Sequence, residues 1–122
     1  MSAITGRTPR DLVSRPESRA IVVGIMREVV AVARASGIML HESDIEPQLA
    51  WTDRAPAIRT SMMVDRERHR AMEVEALIGV IVRRGREHGV PTPVSETICE
   101  LLNAMEREPS DVRDAAWVPP PR

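Results

Sequence analysis

The 122-residue sequence contains no lysine, no phenylalanine and no tyrosine, and it has a single cysteine, Cys99. Without lysine, these residues offer no Schiff-base amine, no lysine general acid and no P-loop lysine. Trp51 and Trp117 are the only aromatic side chains, 2% of the sequence, which argues against a base-stacking platform for nucleic acid. A lone cysteine excludes an internal disulfide and a multi-cysteine zinc site, and within an apolar helical pattern Cys99 reads as a small core residue. The six glycines are scattered at positions 6, 24, 37, 79, 85 and 89, so no G-x-G-x-x-G phosphate cradle exists. No apolar run approaches the roughly 18 residues of a membrane span, and no signal-peptide pattern is seen, so the expected location is the cytoplasm.

What remains is an ordinary balance of 43% hydrophobic and 29% charged residues, at a length that fits one domain. All of the basic residues other than histidine are arginine, and they nearly cancel the acids to a net charge of −1, which leaves no electrostatic footprint for DNA. The core must be built from Val, Ile, Leu, Met and Ala, a set that suits packed helices.

The punctuation agrees with helices. Thr8-Pro9 reads as an N-cap followed by a first-turn proline, and Ser14-Arg15-Pro16-Glu17 offers a second capping box. Beyond it, Ile21, Ile25 and Val29, with Val22, Met26, Val30 and Ala33, recur at helical spacing and predict a wide apolar face on a central helix ending at Gly37. Ser43 or Asp44 is expected to cap the next helix, with Pro47 in its first turn. A turn through Pro56 follows, and Ser61 is expected to cap a short helix through Arg68. Val74, Leu77, Ile78, Ile81 and Val82 predict a long helix over 71–88, stopped by Gly89. Thr92-Pro93 begins a last helix carrying Val94, Ile98, Leu101, Leu102 and Met105. The reading is an all-α domain over residues 1–108 and a proline-rich, disordered tail over 109–122 that contains Trp117.

The polar candidates have plain structural readings. Ser61 is explained as an N-cap and Glu73 as an acid in the first turn of a helix. His69 precedes Glu73 by one turn if that stretch is helical, but two groups do not make a metal site, and no metal is expected. His88 beside Gly89 suits a helix C-terminus. The runs "DRERHR" and "RRGRE" alternate charge as solvated faces do.

The string "RTSMMVDRERHRAMEVEALIGVIVRRGREHGVPTP" nevertheless resembles the C-terminal domain of the ketopantoate reductase (2-dehydropantoate 2-reductase) family. Ser61-Met62, Asp65, Arg70, Glu73, Gly79 and His88-Gly89-Val90-Pro91-Thr92-Pro93 stand in that family's order and register. The similarity runs from Ser2 to about Glu106. It implies a helical fold of the 6-phosphogluconate dehydrogenase-like C-terminal type. It also implies a partner Rossmann domain holding NADPH, and hydride transfer to the ketone of 2-dehydropantoate in pantothenate synthesis. By the same resemblance Ser61 and Glu73 contact the polar groups of the substrate, and Asp65 supports them.

The sequence departs from the family at three places beside the glutamate, where Met72, Glu75 and Ile78 stand for Thr, Asp and Asn. The family's general-acid lysine has no counterpart, and the single asparagine, Asn103, lies in the last helix. The expectation is a substrate-side domain with no catalytic residue of its own and no cofactor bound by this chain alone. It would work beside a separate Rossmann chain on a small 2-keto acid. The alternative is a non-catalytic helical module that self-associates as a homodimer through the Ile21–Val30 face, or a relic without function. Neither nucleic acid nor membrane is an expected partner.

Overall fold

The computed structural model describes residues 1–106; the tail over 109–122, with Trp117, lies outside the described residues. Among the described residues, seven α-helices run in order: α1 Ser2–Thr5, α2 Pro9–Ser14, α3 Pro16–Ala35, α4 Ile45–Arg54, α5 Ser61–Glu67, α6 Val80–His88 and α7 Pro93–Glu106. A 3-10 turn, Glu42–Asp44, leads into α4, and a π-helical turn, Glu75–Gly79, leads into α6. No strand occurs among the described residues, and no helix there is long and apolar enough to cross a membrane.

Several helix ends form as the sequence predicts. The Thr8 hydroxyl accepts from the Asp11 amide, and the Asp11 carboxylate accepts from the Thr8 amide, closing a capping box on α2. These bonds from Thr8 hold the Asp11 carboxyl below its ordinary range. α3 stops where Gly37, at φ +79°, lets the Ile38 amide reach back to the Ala33 carbonyl and the Gly37 amide to that of Arg34. Gly89, at φ +66°, closes α6 in the same way.

Other caps differ from expectation. Ser14 is the last residue of α2 and donates to the Asp11 carbonyl, so it caps nothing, and Arg15 precedes α3 without a side-chain bond. Before α4, Asp44 accepts from the His41 amide at 2.8 Å instead of capping α4 itself, and Ser43 caps neither element.

α3 earns its central place by touching two apolar clusters. Ile25 packs on the first, built from Ala3, Met72, Val74, Val82, Ile98, Cys99 and Leu102. Val22, Val23, Met26 and Val30 belong to the second, with Val13, Ile45 and Leu49. Of the residues expected to form its wide apolar face, Ile21 alone is exposed, at 40%. Cys99 is a buried core residue, as read, and burial pushes its thiol pKa up.

The closest packing is polar at its centre. Glu28, buried on α3, accepts from the Val94 and Ser95 amides at 2.8 and 2.7 Å. Those are the second and third residues of α7, whose first-turn amides lack helical partners. A carboxylate from another helix therefore caps α7, where the sequence suggests Thr92. One turn before Glu28, Gly24 lets α7 approach, since a Cβ there would stand 3.3 Å from Val94. Gly85 on α6 is tighter still: its Cβ would lie 2.7 Å from the Thr92 methyl and 2.8 Å from the Val90 carbonyl.

Candidate functional site

The 59–75 segment begins with a correction. Thr60, not Ser61, caps α5: its backbone is extended and its hydroxyl accepts from the Met63 amide at 3.4 Å. Ser61 is the first helical residue, exposed, and its hydroxyl bonds to no described residue. The capping role that explained Ser61 from sequence is thus filled by its neighbour. Ser61 lines a depression of about 260 Å³ together with Ser2 and Ala3 of α1, Met62, Leu77 and Leu102.

Asp65 lies one turn along α5 and is engaged. Its Oδ1 accepts from Arg70 Nη2 at 2.7 Å and from Nε at 3.0 Å, while its carbonyl accepts from the Arg70 amide at 2.8 Å. Between them His69 takes the left-handed conformation, φ 53°, in the slot that usually falls to glycine at a helix end. α5 therefore ends at Glu67, and residues 69–73 are not helical, so His69 and Glu73 share no helix face. No group of three potential metal ligands occurs among the described residues.

The rest of the charged crowd is largely occupied. Arg66 donates to the Ala3 carbonyl and, at 3.2 Å, to that of Ile4, tying α1 to α5. Arg59 pairs with Glu67. Along with Arg68 and His69, Glu73 is an exception. It stands between buried Met72 and buried Val74, is exposed, and its carboxylate bonds to no described residue. The Val74 amide reaches the Met72 carbonyl at 2.9 Å, so Glu73 is the apex of a three-residue turn. The Glu73 carbonyl accepts from Leu77, which lines the Ser61 depression, so the backbone of Glu73 sits one turn from that depression.

The three residues singled out from sequence thus have unequal roles. Ser61 and Glu73 leave their polar groups unspent, whereas Asp65 clasps the turn between them. Two departures from the family pattern turn inward: Met72 is buried in the first cluster and Ile78 packs against it. Glu75 instead folds over Gly79, where a Cβ would run into its carboxylate. Sequence reasoning missed Arg66, Thr60 and Glu106, whose carboxylate accepts from the Met72 amide.

A second cavity, of about 360 Å³, lies between α6 and α7 and is lined by Glu75, Gly79, Arg86, Glu96, Cys99 and Asn103, among others. Its charges largely answer one another: Arg86 pairs with Glu96, which raises the Arg86 pKa, and Arg83 stands 4.0 Å from Glu87.

The model of the family "Ketopantoate reductase PanE/ApbA C terminal" matches residues 1–106. The chain belongs to this family. Among relatives of the ketopantoate reductase domain, the 2-dehydropantoate 2-reductase of Caulobacter vibrioides is 43% identical over 86 residues, covering 69% of this chain and 29% of that protein. The crystal structure of 2-dehydropantoate 2-reductase from Methylococcus capsulatus superposes with a TM-score of 0.79 at 33% identity, over 96% of this chain and 39% of that one. D-mandelate dehydrogenase, in a ternary structure with NADH and anilino(oxo)acetate, superposes with a TM-score of 0.77 at 26% identity, over 86% of this chain and 59% of that one. The chain thus spans about three-tenths of the curated relative's length.

The amides that open α7, the kind of site that holds a pyrophosphate, are filled by Glu28. The scattered glycines build no cradle, and arginine does not give up a proton at neutral pH.

Proposed function

We propose that this chain is the substrate-side domain of a ketopantoate reductase-like oxidoreductase, in which Ser61 and Glu73 hold the polar groups of a small 2-keto acid such as 2-dehydropantoate. The observation that carries the reading is the pair of unspent polar groups. In a segment where Thr60, Asp65, Arg66 and Arg70 are all engaged, Ser61 keeps a hydroxyl free in one depression, and Glu73, whose carbonyl accepts from the depression-lining Leu77, keeps its carboxylate free. A hydroxyl can donate to a substrate carboxylate or ketone, and a carboxylate can accept from a substrate hydroxyl. Asp65 keeps the turn in place through Arg70 and acts on substrate only through that support.

Reduction needs a held hydride donor and a proton for the developing alkoxide. Neither is found in these residues, so both come from outside them, through a Rossmann domain that binds NADPH. Alone the chain is inactive in this reading. Membership in the family, together with the relatives 2-dehydropantoate 2-reductase and D-mandelate dehydrogenase, the latter solved with anilino(oxo)acetate, supports the substrate class.

The test joins this chain with the Rossmann portion of the Caulobacter vibrioides relative, in trans and as a fusion, and follows NADPH oxidation with 2-dehydropantoate. Turnover is expected in the joined form and absent from the chain alone. Glu73→Ala is expected to lower kcat/KM by roughly 10- to 100-fold, the worth of a charged hydrogen bond. Restored turnover that ignores both Glu73→Ala and Ser61→Ala rules the reading out. The rival self-associating module draws less from α3 than the sequence suggested, because most of that face packs inside the domain.

A further inference from the structure

The turn that presents Glu73 is held from a distance. Met72 and Val74 anchor it by burial, and the Val74 amide closes it onto the Met72 carbonyl. The Met72 amide lies outside any helix and is answered by Glu106, 34 residues away at the end of α7. One turn earlier on α7, Leu102 is 2% exposed and lines the Ser61 depression. Side chains one turn apart share a face of a helix. A single face of α7 therefore touches both the depression and the backbone that carries Glu73.

We infer that Glu106 is a positioning residue: by accepting a hydrogen bond from the Met72 amide it fixes the 72–74 turn and so sets the direction of Glu73 relative to Ser61. The consequence for substrate rests on the reading of Ser61 and Glu73 given above; the consequence for the turn does not. A carboxylate can act here because Met72 is buried and its amide has no helical acceptor. Glutamine at this position retains one acceptor oxygen and should retain much of the effect, whereas alanine should abolish it.

Amide hydrogen exchange on the chain itself tests the contact. In Glu106→Ala, exchange at Met72 is expected to accelerate roughly tenfold or more, while amides of α3 keep their protection. Glu106→Gln should fall between alanine and wild type. Unchanged exchange at Met72 in Glu106→Ala overturns the inference, whatever the fate of the substrate reading. The joined enzyme supplies the second measurement. There Glu106→Ala should lower kcat/KM for the 2-keto acid roughly tenfold without changing the KM for NADPH, and Glu106→Gln should restore most of the loss. Full activity of Glu106→Ala in an assembly that Glu73→Ala disables also overturns it. If Glu73→Ala and Ser61→Ala are both silent, the substrate reading fails and the exchange result still decides the contact.

Discussion

Glu28 and Glu73 are the same side chain put to opposite uses. Glu28 is buried at the junction of α3 and α7, and both of its carboxylate oxygens are taken by backbone amides. Glu73 is exposed at the apex of a turn whose neighbours are buried, and its carboxylate answers no described residue. A buried carboxylate is tolerated only when its hydrogen bonds are made inside the protein, so its chemistry is consumed by the fold. An exposed one on a fixed backbone keeps its chemistry for a ligand. The contrast separates structural from available acids better than charge counting does.

The largest effect expected from this contrast is at Glu28. Glu28→Ala leaves one buried and one partly buried amide at the start of α7 unanswered and should cost roughly 3 kcal/mol, a fall in melting temperature of the order of 10–20 °C by calorimetry. Glu28→Gln keeps one acceptor and should cost about half as much. A loss no greater than that of an exposed substitution would remove the contrast.

Next comes the hydroxyl pair. Thr60→Ala removes the α5 cap and should cost about 1 kcal/mol in urea unfolding. Ser61→Ala should change stability by less than about 0.5 kcal/mol. The reverse order would return Ser61 to a capping role and undercut its place in the site. Glu73→Ala should likewise stay within about 0.5 kcal/mol in the isolated chain, since nothing in the fold depends on its carboxylate.

The smallest lever is Asp11, which serves as a control outside both regions. Its folded pKa is depressed, so its contribution is fully present above the ordinary carboxylate range and disappears as pH falls through the folded value. The melting-temperature gap between wild type and Asp11→Asn should therefore close in acid, and a gap that widens there would contradict the assignment.

Much of the fold was legible because its signals are local. Thr8-Pro9, Gly37, Gly89 and Pro93 mark helix ends by backbone chemistry that any packing must obey. Ser61 was misread as the cap because two adjacent hydroxyls offer the same chemistry, and only the extended backbone at Thr60 decides between them. The 69–73 stretch was read partly as helix because His69 gives no warning of a left-handed conformation, as a glycine would. Glu28 was invisible because a glutamate inside a helix ordinarily faces water, and its partners lie 66 and 67 residues away. The one hint was Gly24, a gap one turn earlier through which another helix can approach. Ser61, Asp65 and Glu73 came from resemblance; the free state of two and the engaged state of the third required coordinates.

The π turn at Glu75–Gly79 bears on how the sequence can change length. Such a turn bonds i to i+5, so it carries one residue more than the same turn would in the α6 helix that follows it. Losing one residue there leaves an ordinary helix whose two ends keep their faces, with Val74 still toward Leu102 and Gly85 still against Thr92. The same loss between Val80 and His88 would swing everything beyond it by about 100°. Glu75–Gly79 is therefore the place where one residue could be lost with least disturbance, between an exposed acid and a closed glycine contact.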